Sequence, residues 1–325
     1  MSLEDWAENA RDRFERDGLT TGVYGAVQEL WQGGLGVLGR HVYNYGTHVY
    51  ERDWDVLLVL DTCRPDVLAE VADDYEFLAD YDPEADVLNS VGSRSPEWID
   101  KTFDPDSAAG PELGDTAYVS ANPHTRDVPD PDRLGLLDEL WKYGWSYDHG
   151  TVRPETVTDR AIDVARSGEF DRLVVHYMQP HSPYRSLVEE HPDWFSLSVG
   201  MDNPEDTPEF VLWERLRTGR VSREELWTAY RDNLRWVLDS VELLLENVEA
   251  DDVVLTSDHG EGFGEWWYYG HSSTAPIPVL KRVPWATTTA TDRETYESEI
   301  VPGEDEDADP TTEEVNERLR TLGYV

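Results

Sequence analysis

The sequence predicts an α/β fold with a mostly parallel central sheet and helices on both faces. Three observations carry this. The first is an unbroken apolar run, Val56–Leu60, that ends abruptly at Asp61 and reads as a strand buried on both faces. The second is the recurrence of short strand-like runs, Arg172–Tyr177 and Asp252–Thr256, between longer helical stretches, the order of an α/β sheet. The third is that each run opens directly into polar, chemistry-bearing residues: Asp61, then His181, then Asp258 and His259. Open α/β sheets collect ligands at the carboxyl ends of their strands.

Residues 2–17 alternate acidic and basic groups around Trp6, Ala7, Ala10 and Phe14, the pattern of a modestly amphipathic helix. Gly33, Gly34, Gly36 and Gly39 are expected to break it. Residues 1–50 thus read as a helical lead-in packed on the core. An interfacial membrane helix is the rival reading, against which stands the absence of a net basic polar face.

Val56–Leu60 follows as the first strand. Asp61 then stands where a metal ligand or catalytic acid would, or caps the following helix at Val67–Val71, in a stretch, Val67–Leu78, that can form a helix. Arg64 is expected to pair with Asp66 or another acid. Val87–Asn89 is a short apolar run, and Ser93-Arg94-Ser95-Pro96 after it reads as a helix start. A hydroxyl there lies beside free backbone N–H groups, suited to a nucleophile that also holds a phosphate or sulfate; an ordinary serine cap is the alternative.

Ala117–Val119 reads as a strand. Pro131–Tyr143, with Leu134, Leu137, Leu140 and Trp141, reads as a helix, as does Glu155–Arg166. Arg172–Tyr177 is a strand whose His176 reads as a buried, satisfied histidine. His181 follows between Pro180 and Pro183. The acidic stretch 189–208 looks like an irregular insertion. Ser222–Val248 is the clearest helix: Ser222 and Glu225 form a capping box, and Leu226, Tyr230, Leu234, Val237, Leu238 and Val241 begin a single apolar stripe. Asp252–Thr256 then runs into Ser257-Asp258-His259-Gly260-Glu261, with Gly270-His271 further on. Residues 303–310 read as an acidic linker, and Thr311 with Glu314 as the cap of a last helix ending at Gly323.

Composition narrows the function. The formal net charge is −42, from 27 basic and 69 acidic residues, which repels nucleic acid and anionic membrane. It suits a protein working in high salt, where screening removes much of the self-repulsion. With 13 Trp, 16 Tyr and 7 Phe the chain has ample core material, so disorder does not explain the charge. Cys63 is the only cysteine, so no intramolecular disulfide forms. No signal-like opening and no apolar run of about 18 residues is present, so no membrane span and a cytoplasmic location are expected.

Asp61, His181, Asp258 and His259 at strand ends, with a hydroxyl nearby, form a set able to hold a divalent cation; mixed nitrogen and oxygen ligands lean towards Zn²⁺ or Mn²⁺ over Ca²⁺. At this point the chain resembles the alkaline phosphatase and sulfatase superfamily, in particular its sulfatase-like branch and an acidic, haloarchaeal type of member. The residues that carry the resemblance are LLVLDTCRPD at 57–66, HYMQPHSPY at 176–184, YRDNLRWVLDSVELLL at 230–245, LTSDHGEGFGEWWYYGHS at 255–272 and the closing LRTLGYV.

The resemblance implies an alkaline-phosphatase-like three-layer α/β/α fold, with a catalytic domain over 51–302 and an acidic linker plus helix over 303–325. It implies Asp61, Asp258 and His259 as metal ligands and Ser95 as nucleophile, with Ser93 the second choice. His181 and His271 would contact the transferred group or hold a second metal. One divalent site is expected, filled by Zn, Mn, Mg or Ca. The implied activity is metal-dependent hydrolysis of small-molecule or glycan sulfate or phosphate esters. The alternatives are a phosphoryl-group transferase of the same superfamily and a non-catalytic relative that binds an anion or glycan. Thr62 stands where sulfatases carry a second Asp, and Ser95-Pro96-Glu97-Trp98 replaces the motif that is converted to formylglycine, so an unmodified serine fits phosphate chemistry better.

Overall fold

A computed structural model describes residues 19–194, 208–299 and 311–321. The expected helix 2–17, most of the insertion 189–208, the linker 303–310 and the end of the chain at Gly323 lie outside the described residues.

The elements in chain order are α1 (Leu19–His41), β1 (Val56–Leu60), α2 (Pro65–Val71), β2 (Val87–Asn89), α3 (Ser95–Thr102), β3 (Thr116–Ser120), β4 (Leu136–Glu139), β5 (Trp145–Ser146), β6 (Thr151–Val152), α4 (Pro154–Ser167) and β7 (Arg172–Tyr177). There follow α5 (Arg185–Glu190), α6 (Pro208–Arg217), α7 (Arg223–Leu245), β8 (Ala250–Thr256), β9 (Gly262–Phe263), β10 (Tyr269–Gly270), α8 (Pro278–Lys281), β11 (Arg282–Pro284), β12 (Ala286–Ala290) and α9 (Thr312–Thr321). Six strands form the central sheet in the order β12-β8-β1-β7-β3-β4. All neighbours run parallel except β12, which is antiparallel to β8.

β1 lies in the middle, and all five of its residues are buried. Val56, Leu58 and Leu60 enter one apolar cluster with α2, α4 and α7. Leu57 and Val59 enter the other, with Trp98 and Ile99 of α3. Alternate side chains of a strand point to opposite faces, so these two clusters are the two interfaces of a three-layer α/β/α domain. Ser222 caps α7 by accepting from the Glu225 N–H at 3.1 Å. Gly168, with φ 64°, closes α4 in the left-handed conformation that suits glycine.

Two expectations need correction. The segment 131–143 is not a helix: a single 3₁₀ turn at Pro131–Arg133 leads into β4, which pairs in parallel with β3. Its leucines recur at spacings that fit a helix, but a Cβ on Gly135 would meet the Gly114 carbonyl at 2.6 Å and the Phe170 ring at 2.9 Å, so close packing selects the extended path. Tertiary contacts then hold it: Asp138 accepts from Arg160 at 2.6 Å and from Tyr143 at 2.6 Å. The second correction is α1, which runs straight through Gly33, Gly34, Gly36 and Gly39. At Gly36 and Gly39 the helix packs by its backbone, while Gly33 and Gly34 face open space. Thr274 Oγ1 donates to the Gly36 carbonyl at 3.1 Å, and a Cβ on Gly39 would run into the Thr274 carbonyl.

Among the described residues, no helix is long and apolar enough to cross a membrane.

The packing of α1 yields a paired test. Gly33→Ala meets nothing within 4 Å and should raise stability by up to about 1 kcal/mol, the helix-propensity gain. Gly39→Ala should instead lower it by about 1–3 kcal/mol through overpacking. Thermal melts of the two variants check this; a gain for both would refute the close approach of α1 to Thr274.

Candidate functional site

Register builds the site. Leu60 of β1 pairs with Tyr177 of β7, and Val59 pairs with both His176 and Thr256. Asp61 is the next residue out on β1 and Asp258 is two beyond Thr256, so the two carboxylates emerge at one edge. Paired residues of parallel strands share a face, which puts His176 on the side of Val59 and Asp61, facing α3. Its ring lies against Trp98 at 5.6 Å, and its Nδ1 is 2.8 Å from the Tyr118 hydroxyl.

Asp61, His176, Asp258 and His259 are all fully buried. His259 Nε2 lies 3.4 Å from Asp258 Oδ2 and 3.8 Å from Asp61 Oδ1. His176 Nε2 is 3.9 Å from an oxygen of each carboxylate. Ser95 begins α3, and its Oγ is 3.4 Å from Asp61 Oδ2 and 3.3 Å from His259 Nε2. Asn122, just past the end of β3, donates to Asp61 Oδ2 at 2.9 Å. Asp258 Oδ1 accepts from the backbone N–H groups of Thr62 and His259 at 3.2 and 2.9 Å.

A second cluster adjoins the first. His271 Nδ1 is 3.1 Å from Glu261 Oε1, and the His271 ring lies 4.5 Å from the His259 ring and 5.2 Å from that of His181. The ligating atoms of His181, Glu261 and His271 all lie within 4.8 Å of one another, as do those of Asp61, His176 and Asp258.

The structure therefore brings together Asp61, Asp258, His259 and Ser95, with His181 and His271 alongside. Ser93 is engaged elsewhere: its hydroxyl lies 3.0 Å from Glu97 Oε2 and 2.8 Å from the Ser272 carbonyl, and it accepts from the Ala275 N–H. Sequence reasoning set His176 aside and missed Asn122 and Glu261. Glu261 was visible in the run Asp258-His259-Gly260-Glu261; for Asn122 no local signal exists. Arg64 pairs with Asp66 and Glu265 as expected. Cys63 is buried, which pushes its thiol up.

Burial sets the protonation states. It lowers His176 to about 4 and His181 to about 4, and pushes His259 and His271 below their ordinary range, against the pull of Asp258 on His259. All four are then neutral near pH 7, the form that ligates metal. Asp258 is held below its ordinary value: burial opposes this, the coulombic pull of His259 and His176 acts only while those rings are protonated, and the Ser95 hydroxyl and the Thr62 N–H favour the carboxylate throughout. Two buried carboxylates stand among neutral imidazoles, with the Arg94 charge acting on His181, His259 and His271. Among the described residues, Asp258 Oδ2 and His176 Nε2 have no hydrogen-bond partner. A divalent cation fits these donors: two carboxylates, imidazole nitrogen and a hydroxyl, the set that suits Zn²⁺ or Mn²⁺.

The surroundings hold these groups in place. Thr62 has φ 65°, costly for a β-branched residue, and its carbonyl accepts from the Tyr230 hydroxyl at 2.6 Å. Asn233 of α7 donates to the carbonyls of His181 and Pro183 at 3.0 and 3.2 Å and accepts from the Arg185 N–H at 3.0 Å, fixing the His181 loop. Glu97 of α3 ties the Ser95 helix to the His271 loop. It accepts from the Ser93 N–H, the Thr274 N–H, Asn44 and Lys101 at 2.6–3.0 Å.

Among solved structures the chain is similar to the soluble domain of lipooligosaccharide phosphoethanolamine transferase A from Neisseria meningitidis, with 17% identity, a TM-score of 0.46 and coverage of 72% of this chain and 75% of that one. It is similar to the integral membrane form of that protein at 15% identity and TM-score 0.48, covering 90% of this chain and 59% of that one. It is also similar to the C-terminal periplasmic domain of EcEptC from Escherichia coli in complex with Zn, at 14% identity and TM-score 0.45, covering 77% and 76%. No family model and no curated protein matches the chain.

Glu97 provides a test in acid. Burial would raise its carboxyl, but Lys101, the Thr274 N–H and Asn44 hold it down at about 2, against an ordinary 4.5. Because the folded value is the lower one, its stabilisation is complete above about pH 4.5 and is lost as pH falls towards 2. Glu97→Gln should cost up to about 3 kcal/mol at neutral pH, and its melting curve should converge on that of the parent in that acid window. A gap unchanged at low pH would remove the ionic role.

Proposed function

We propose that this protein is a metal-dependent phosphoryl-group transferase acting on phosphate esters, with Ser95 as its nucleophile and hydrolysis as the outcome when water is the acceptor. The observation that carries the reading is the approach of Ser95 Oγ to both Asp61 and His259 at the start of a helix. The unmodified serine and the lack of a formylglycine motif favour phosphate over sulfate. The burial of Ser95, His259 and His181 keeps bulk water off the reacting group, which favours an organic hydroxyl over water as acceptor.

Asp61, Asp258 and His259, with His176 beside them, would hold the cation. When bound it supplies Lewis acidity that lowers a hydroxyl pKa and neutralises phosphoryl oxygens. Ser95 Oγ gives up its proton as it forms a bond to phosphorus and the ester oxygen–phosphorus bond breaks, and that proton neutralises the leaving alkoxide. The acceptor hydroxyl then gives up its proton as it displaces Ser95, which regenerates the free serine. His181 and His271 would contact the transferred group, with Glu261 fixing the His271 ring through Nδ1; with Glu261 they also form a donor set for a second cation.

Ser95→Ala should abolish turnover of an aryl phosphate while keeping the metal content of the parent, and Asp258→Asn should lose both. With the parent chain, mass spectrometry after a substrate quench should find a phosphoryl adduct on the Ser95 peptide. Near-normal turnover in Ser95→Ala would sink the assignment. Elemental analysis separates the roles of the second cluster: two metal equivalents falling to one in His271→Ala would identify it as a metal site, and one equivalent in both chains would leave it to the substrate.

We also infer adaptation to high salt from the net charge of −42. Unscreened self-repulsion destabilises the compact state, so the melting temperature should fall steadily from molar to millimolar salt. A salt-independent melt would contradict this.

A further inference from the structure

The helix α1 is mounted inside out. Among its described side chains, the positions it buries or half-buries against the protein are Gly25, Gln28, Gln32, Leu35, Gly36 and Gly39, mostly glycines and glutamines. The positions it turns to solvent, and those just past its end, include Val27, Leu30, Trp31, Val37, Leu38 and Val42, with Leu30 at 53%, Val37 at 61% and Val42 at 75% exposure. A helix of a globular protein normally does the reverse. The exposed ridge continues on to the loop that carries His271, because Trp31 Nε1 donates to the Trp266 carbonyl at 2.9 Å. Trp266 and Trp267 are 59% and 52% exposed, and both hold positive φ values of 56° and 59°, rare for bulky residues.

We propose that this ridge docks on the surface of a zwitterionic lipid bilayer, with α1 lying in the interface. Charge decides between the candidate occupants. Residues 19–43 contain one carboxylate, Glu29, and one arginine, Arg40, in a chain with a net charge of −42. At the contact distances that even high salt leaves unscreened, about 3 Å at 1 M, a second copy seated there would press two strongly acidic bodies together, and an anionic membrane would meet the same acidic surface. A zwitterionic surface does neither. Tryptophan and tyrosine, here Trp31, Trp266, Trp267 and Tyr43, are the side chains that favour the bilayer–water boundary. A lipid surface also needs no shaped pocket, which suits a convex ridge. Interfacial helices commonly carry a basic outer face; α1 needs none, because its polar face is docked on the protein body.

The proposal stands apart from the chemistry assigned to the site, and one experiment separates them. The full chain is mixed with phosphatidylcholine vesicles in high salt, and flotation, tryptophan emission and turnover of a soluble aryl phosphate are read together. The parent chain should float with the vesicles and its emission should shift to the blue. The triple variant Leu30→Ser, Leu38→Ser, Val42→Ser changes exposed positions only. It should lose about tenfold or more of its partitioning at an unchanged melting temperature and aryl phosphate turnover. A parent chain that stays unbound overturns the proposal. So does a parent dimer in sedimentation that the variant dissolves without any flotation, which would assign the ridge to a second copy. A chain that floats but shows no aryl phosphate turnover sustains the docking surface and counts against the site chemistry instead.

Discussion

Two carboxylates, Asp61 and Asp258, meet in the fully buried interior at the ends of neighbouring strands, and most of what surrounds them answers that fact. A buried ion costs several kcal/mol unless it is matched. The groups seen around this pair are an amide, backbone N–H groups, a serine hydroxyl and imidazoles that burial keeps neutral. Among the described residues, the two carboxylates and His176 form a donor set able to hold a divalent cation.

The tolerance for so much buried polarity comes from the sheet. β1 is apolar along its whole length, and β7 and β8 are apolar through Leu173–Val175 and Val253–Leu255, packed on both faces, with the site's polar groups gathered at the carboxyl edge. Helices from both layers then brace that edge. Tyr230 and Asn233 of α7 hold the Thr62 turn and the His181 loop from one side. Glu97 of α3 holds the serine helix and the His271 loop from the other. Both side chains of α7 lie on the stripe that also buries Leu226 and Leu234, so one helix supplies hydrophobic core and site support together.

The His271 loop serves two surfaces. Its inner residues complete the second cluster, and its outer residues, Trp266 and Trp267, join the apolar ridge of α1. Glu97 and Ser93 fasten its far end through the Thr274 and Ala275 N–H groups. Whatever covers the ridge therefore bears on the same loop that positions His271.

The sequence by itself determined the strands and what lies at their ends. β1 was readable because a strand buried on both faces must be continuously apolar, β7 and β8 from the shorter apolar runs at Leu173–Val175 and Val253–Leu255, and α7 because its stripe and its Ser222 cap are local signals. Asp61, Asp258, His259 and His271 were legible for the same reason, as polar residues set against apolar runs or close behind them. What only the tertiary structure decided depends on contacts distant in sequence. β4 read as a helix until Gly135 met Gly114 and Phe170. His176 read as an inert core histidine until register set it beside two carboxylates, and Asn122 carries no mark of its role. The glycines of α1 read as breakers because local propensity knows nothing of a backbone packed on Thr274. Periodicity reports which residues share a face; it cannot say which face the protein turns inward.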